Sequence, residues 1–100
     1  MSKNENEIEE IAKRYFVSKN QFNLEGFSSG EIDYDNPFYI YCHSVEIAFQ
    51  KLDYDERLII NNDFFYNAYF GWWKIVFTKT EYQKIKRTAI KKFLRYFNEN

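Results

Sequence analysis

The strongest constraint on the fold of this 100-residue chain is a C-terminal stretch with helical periodicity and a capping signal at its start. Glu81 follows Thr78 by three residues, the capping-box pattern in which hydroxyl and carboxylate each satisfy a backbone N–H at a helix start. Beyond this signal, apolar residues recur at spacings of three and four, which aligns them in one stripe along a helix. The stripe consists of Tyr82, Ile85, Ala89, Phe93, Tyr96 and Phe97. The pattern predicts a helix from residue 78 to residue 97.

The same stretch is strongly cationic. Residues 78–97 include seven Lys or Arg and one acid, Glu81, a local charge of +6. Four of the cations fall opposite the apolar stripe: Lys84, Arg87, Lys91 and Arg95. Such a face is usually a solvated helix surface, and the sharper interpretation is a helix that faces nucleic acid.

The charge is distributed unevenly along the whole chain. Residues 1–63 carry thirteen acids and six bases, a charge of −7, whereas residues 64–100 carry two acids and eight bases, a charge of +6. This polarity can indicate one face for nucleic acid and another for a basic partner. It can equally indicate an acidic half that shields the protein from nonspecific contacts.

Length and composition limit the class of protein. One hundred residues predict a single domain, 1–100, and 22% aromatic residues predict an aromatic core. The single Cys42 excludes an internal disulfide and fits a reducing cytosol. The charged N-terminus has no signal-peptide core, and no apolar run approaches the ~20 residues that span a bilayer. We therefore expect a cytoplasmic protein that does not use a membrane.

The N-terminal half contains a first helix and a segment without a clear period. Residues 4–17 show a narrow apolar stripe, which predicts a helix. Residues 18–35 show no sustained period, and Gly26 and Gly30 mark a turn. We expect a loop that lies against the core, although a short helix or a hairpin would also fit the segment.

Two more helix starts follow. Asn36 is a good N-cap before Pro37, and the spacing predicts a helix to Lys51. Asp53 and Glu56 form a second capping signal, which predicts a helix over 54–66 at the centre of the fold. One apolar face of this helix would carry Tyr54, Leu58, Phe65 and Tyr69, and Ile60 and Phe64 would point away from it. After a break at Gly71, we expect a short helix from Trp72 to Val76. The fold class is all-α.

No set of residues indicates catalysis. Cys42 and His43 are adjacent, and the chain has no second Cys or His to complete a zinc site. No phosphate-binding glycine motif or nucleophile elbow is present, and Asp53 is better explained as a helix cap. We therefore expect no enzyme, metal or cofactor. Trp72 and Trp73 could stack on bases, but a Trp pair beside Ile and Val is more often core.

Two sets of residues in the C-terminal half match known patterns. A Leu-x-x-x-Glu opening is matched by Leu52 and Glu56, and a recognition-helix pattern is matched by Phe77-Thr78-Lys79, Tyr82, Ile85 and Ala89-Ile90-Lys91-Lys92-Phe93. On these residues, the stretch from 52 to 97 resembles the promoter-reading C-terminal region of bacterial sigma factors. One departure is that the polar bracing helix of sigma factors corresponds to the aromatic segment 71–76.

A second pattern combines a Trp-Trp pair, a Thr-Lys-Thr-x-Tyr turn and an Ala-x-x-x-Phe-Leu tail. These are Trp72-Trp73, Thr78-Lys79-Thr80 with Tyr82, and Ala89 with Phe93-Leu94. With them the chain is similar to the ArpU-type phage transcription regulators and to a small uncharacterised family from mycoplasmas and their relatives.

These resemblances imply a small helical domain with N-terminal helices and a loop in 1–51 and a sigma-like helix-turn-helix in 52–97. In that motif the second helix enters the major groove. The positions that read bases in sigma factors align with Lys79, Thr80, Gln83 and Lys84. Phosphate contacts would come from Arg87, Lys91 and Arg95.

The resulting hypothesis is a transcription regulator that binds double-stranded DNA through a basic recognition helix, 79–97. The alternative is a non-catalytic adaptor that binds RNA polymerase or another protein partner, because a helix-turn-helix of this type can also bind protein. A third interpretation is an RNA-facing helix in a ribosome-associated factor.

Overall fold

The computed structural model of the chain describes residues 2–29 and 34–99, with the side chains of 25–29 outside the description. Four α-helices follow one another: α1 (Lys3–Ser29), α2 (Pro37–Gln50), α3 (Tyr54–Ile60) and α4 (Lys79–Glu99). A π-helical turn (Asn61–Phe65, the π turn) continues α3, and a 3-10 helix (Trp72–Ile75, the 3-10 turn) precedes α4. The described residues contain no strand, so the predicted all-α fold is confirmed.

Local capping chemistry fixes where three of the helices begin. The Asn36 side chain accepts a 2.8 Å hydrogen bond from the backbone N–H two residues later, at the start of α2. The backbone N–H of Asp53 donates to Glu56 Oε1 over 2.8 Å at the start of α3. Thr78 and Glu81 exchange both capping-box bonds at the start of α4, with lengths of 2.9 and 3.1 Å. All three predicted starts are confirmed.

The first helix is longer than its sequence pattern predicts. It continues to Ser29, into the segment 18–35 that we expected to be a loop. Gly26 lies inside the helix, while Gly30 lies outside the described residues. The extension packs on α2, where the Phe22 and Tyr39 rings lie 5.4 Å apart. Most helix stability comes from such tertiary contacts, so a helix can continue where its own sequence shows no period.

The core lies where α1, α2, α3 and the π turn meet α4. Phe93 is fully buried there, and its ring packs against the ring of Phe65 from the π turn at 6.0 Å. The buried surface of α4 is broader than the predicted stripe, because Ile90 and Leu94 are buried as well. The central cluster is completed by Ile8, Val45, Ala48, Leu52, Ile60, Phe64 and Ala89.

The predicted apolar face of α3 is wrong, and the helix that packs against the other three is α4 and not α3. Ile60 and Phe64, which we expected to point away from that face, are buried in the core. Tyr54 and Tyr69 are 71% and 68% exposed. Tyr54 and Ile60 lie in the regular part of α3, where the prediction chose the wrong one of two apolar sides. For Tyr69 the assumption of 3.6 residues per turn also fails, because the chain widens to a π turn after Ile60 and leaves helical geometry after Phe65.

Candidate nucleic-acid interface

All seven residues predicted to contact DNA are exposed on α4. They are Lys79, Thr80, Gln83, Lys84, Arg87, Lys91 and Arg95. Because successive residues turn by about 100°, five of them lie within about 60° of one line along the helix. We call these five, Thr80, Lys84, Arg87, Lys91 and Arg95, the α4 cationic face. From Lys84 to Arg95 this face extends about 16 Å at about 1.5 Å per residue.

The other two predicted residues lie off that line. Around the helix axis, Gln83 lies about 100° from Lys84, at the border of the face. Lys79 lies about 140° from Lys84. Both belong to the first two turns of α4, where they are exposed. The structure thus brings the predicted phosphate-contacting residues together. Lys79 lies one turn before Gln83, about 40° from it around the helix, but off the line of Thr80 and Lys84.

Two cations of α4 point inward and are neutralised by the acidic half of the chain. Lys92 Nζ lies 2.7 Å from Glu56 Oε1 and 3.7 Å from Asp53 Oδ2. The hydrogen bond to Glu56 raises the pKa of Lys92. Lys86 Nζ lies 3.0 Å from Asp63 Oδ2. Burial alone would lower the pKa of Lys86, but the hydrogen bond and the charge of Asp63 raise it, so this ammonium stays charged.

The α4 cationic face meets little acidity along its own helix. The carboxylate of Glu81 is used by the capping box, and the Thr78 backbone N–H lowers the pKa of this carboxyl. Arg95 is the most engaged of the outward cations. Its Nε lies 3.9 Å from Glu99 Oε1, and its guanidinium lies 4.9 Å from the centre of the Tyr96 ring. Lys84, Arg87 and Lys91 are therefore the most available cations on the face.

A polar cluster holds the first half of α4 in place. Asp63 Oδ1 accepts a 2.8 Å hydrogen bond from Trp72 Nε1. Its other oxygen accepts from the Tyr82 hydroxyl and pairs with Lys86. We call these four residues the Asp63 network. Burial and the Asp63 hydrogen bond raise the pKa of Tyr82 to about 12, so its hydroxyl remains a donor at neutral pH.

Trp72 and Trp73 also help to hold the first half of α4 in place. Trp72 is buried, and the Trp73 ring stacks on the Tyr82 ring at 4.5 Å with an interplanar angle of 8°. The core interpretation is therefore confirmed for Trp72, whereas Trp73 is half-buried and packs on Tyr82. The Asp63 network could not be predicted from the sequence, because Asp63 and Tyr82 are 19 residues apart and no local spacing links them.

The segment before α4 differs from a bracing helix of several turns. Residues 66–78 separate the π turn from α4, and their helical part is the four-residue 3-10 turn. That turn starts after Gly71, whose φ of +79° is left-handed and favours glycine. A helix-turn-helix normally joins its helices by three or four residues.

Cys42 and His43, the other residues considered for a site, pack against the protein's own side chains. Cys42 is buried, and burial raises the pKa of its thiol. His43 is exposed and stacks on Tyr39. Within residues 2–24 and 34–99, no three His, Cys, Asp or Glu side chains are grouped so that they could hold a metal ion. No helix in this part of the chain combines the length and the apolar character needed to cross a bilayer.

No protein-family model, curated protein or solved structure matches this chain. The resemblances to sigma factors and to the phage regulators therefore stay predictions. The geometry and charge of α4 are the features that indicate a function.

Proposed function

We propose that this chain binds double-stranded DNA through the α4 cationic face and acts as a transcription regulator. The observation that carries the proposal is that three cations, Lys84, Arg87 and Lys91, are exposed along one line of a single helix. The acidic half of the chain pairs with the inward cations of α4 instead and leaves this line uncovered. An uncovered cationic line on a helix is the electrostatic footprint of a nucleic-acid-binding protein.

In this proposal, the second half of the α4 cationic face supplies affinity. Arg87, Lys91 and Arg95 contact phosphates and release the counterions condensed on them. Each phosphate contact makes log K fall by about 0.9 per unit of log salt concentration. These contacts fix the register of the helix on the duplex without choosing a sequence.

The first half of the helix supplies base discrimination. An α-helix with its side chains is about 10–12 Å across, so it fits the major groove, which is about 12 Å wide. Gln83 can bind adenine in bidentate fashion, and Lys84 can donate to guanine, with Thr80 beside them. The proposal depends on the α4 cationic face and not on a standard helix-turn-helix, because the 3-10 turn replaces the usual bracing element.

A second function, that of an adaptor for RNA polymerase or another transcription protein, is favoured by a different observation. The segment 66–76 exposes five large apolar side chains. Phe70 is 98% exposed and Ile75 is 84% exposed, and the others are Tyr66, Tyr69 and Val76. Apolar side chains grouped at a surface are typical of protein-binding sites.

Reversing two charges tests the DNA proposal. Arg87→Glu with Lys91→Glu should weaken binding to a pool of random duplexes by about 100-fold, because two phosphate contacts become repulsions. The slope of log K against log salt should also become shallower by about 2. Fluorescence anisotropy at several chloride concentrations measures both effects.

The matched control is Lys13→Glu with Arg14→Glu, which makes the same change of net charge on exposed residues of α1. This pair should keep most of the affinity. Equal losses for the two pairs would show that total charge and not the α4 cationic face drives binding. If wild-type protein fails to bind duplexes at low salt but captures a stoichiometric, nuclease-resistant protein partner, the adaptor function replaces the DNA proposal.

A further inference from the structure

An open cavity of about 610 Å³ lies between α1, α2 and the π turn, on residues that the proposed DNA interface does not use. Its walls are mainly aromatic, and we call it the aromatic pocket. The aromatic residues are Tyr15, Phe16, Phe49, Phe65 and Tyr66. Sites for small molecules usually have volumes of about 300–1,000 Å³, apolar walls and a few polar groups that converge on them.

The rings of the aromatic pocket support one another. The ring centre of Phe65 lies 5.8 Å from that of Tyr15, 6.3 Å from that of Phe16 and 6.5 Å from that of Phe49. Behind it, Phe93 of the core contacts the same ring. Edge-on and tilted rings held from several helices form walls against which a flat apolar ligand can pack.

One end of the pocket is polar and charged. The Tyr15 hydroxyl donates to Glu46 Oε1 over 2.9 Å and accepts from Lys19 Nζ over 3.3 Å. In the part of the chain that the structure describes, the Tyr15 hydroxyl is the one group that donates to the Glu46 carboxylate. This carboxylate can therefore accept another donor. The Lys19 ammonium gives one of its three N–H donors to the hydroxyl and lies 5.5 Å from the centre of the Tyr15 ring.

Backbone geometry at the pocket supports a binding role independently. Phe65 ends the π turn, and Tyr66 follows it, so both side chains owe their placement to this rare conformation. Single π-helical turns occur frequently at functional sites. Directly after them, Asn67 has a φ of +56°, a left-handed conformation that is uncommon outside glycine.

We propose that the aromatic pocket binds a small aromatic amine. The flat ring lies among Phe16, Phe49 and Phe65, and the ammonium group donates to Glu46. An amine suits this end of the pocket, because the Glu46 carboxylate receives a single hydrogen bond among the described residues and can accept an ammonium group. A carboxylate ligand would approach Glu46 as a like charge and would have only Lys19 to pair with. The pocket, at about 610 Å³, has room for one or two fused rings with a short aminoalkyl arm.

Titration of the intact protein with tryptamine tests this proposal, with indole-3-propionate as a probe that has the same ring and the opposite charge. Calorimetry or NMR should give a dissociation constant on the order of 0.1 mM for the amine, as the size of such a ligand allows. The acid should bind at least about tenfold more weakly, since it places a second carboxylate near Glu46.

Two variants locate the binding. Glu46→Gln keeps an acceptor for the Tyr15 hydroxyl and removes the charge, so it should weaken the amine about tenfold and reduce the preference over the acid. Gln50→Trp places a ring at the exposed rim of the pocket and should block both probes. Circular dichroism should show that both variants are folded. Equal affinity for amine and acid, tryptamine binding that neither variant changes, or no binding at millimolar tryptamine would overturn the proposal.

Discussion

Replacing Phe93 with alanine should lower the free energy of unfolding by about 4 kcal/mol, the largest loss that we expect from a single truncation of this chain. The side chain is fully buried. Its ring contacts Phe65 edge-on and stacks on Phe97 with an interplanar angle of 9°. Because the surrounding helices cannot collapse completely into the space left behind, the loss includes a cavity term as well as lost burial. A domain of this size has a total stability of roughly 5–15 kcal/mol, so the variant should lose between about a quarter and most of its stability.

Urea unfolding followed by circular dichroism measures this loss. Phe70→Ala is the matched control, because it removes the same side chain from a position that is 98% exposed. We expect it to change stability by less than about 0.5 kcal/mol. Similar losses for the two variants would contradict the assignment of Phe93 to the core.

Asp63→Ala should lower stability by about 3 kcal/mol. The Asp63 side chain is only 14% exposed, and its two oxygens serve three donors. Without it, the Lys86 ammonium, itself 23% exposed, loses its counterion, and the Trp72 N–H loses its acceptor. An uncompensated charge and an unsatisfied donor that water reaches poorly are both destabilising. Asp55→Ala, on the exposed surface of α3, should cost less than about 1 kcal/mol, as expected for a charge near a helix start.

A double-mutant cycle separates the charge from the rest of this effect. Adding Lys86→Met to Asp63→Ala should restore about 1–2 kcal/mol, because it removes the ammonium that the first change left unpaired. Lys86→Met alone should be mild, since Asp63 keeps its Trp72 and Tyr82 donors. Strictly additive losses would mean that the two groups do not interact in solution.

The sequence predicted the parts of the fold that depend on local chemistry. The helix starts at Asn36, Asp53 and Thr78 were predictable because a cap and its partner lie within three residues of each other. The exposed surface of α4 was equally predictable from the sequence, because a helix with one apolar stripe must turn its other side to water. For the same reason, the sequence alone predicts that Lys84 and Arg87 lie on the exposed side of α4.

Long-range contacts and backbone irregularities were not predictable in this way. The sequence placed Lys92 outside the four cations opposite the apolar stripe but could not name its partner, because Glu56 is 36 residues away along the chain. The extension of α1 depends on packing against α2, which no pattern within α1 reports. The π turn after Ile60 shifts the faces of all later residues, and periodicity arguments assume that such a shift is absent.

In the exposed segment 66–76, residues kept for folding can be told apart from residues kept for binding. Serine in place of Phe70 or Ile75 would leave the core untouched and make the surface more soluble, because both side chains are mainly surrounded by water. Thermodynamic stability therefore gives no reason for these positions to stay apolar over evolutionary time. If relatives of this chain retain large apolar residues here while their other exposed positions drift, the retained residues mark a surface that another molecule touches.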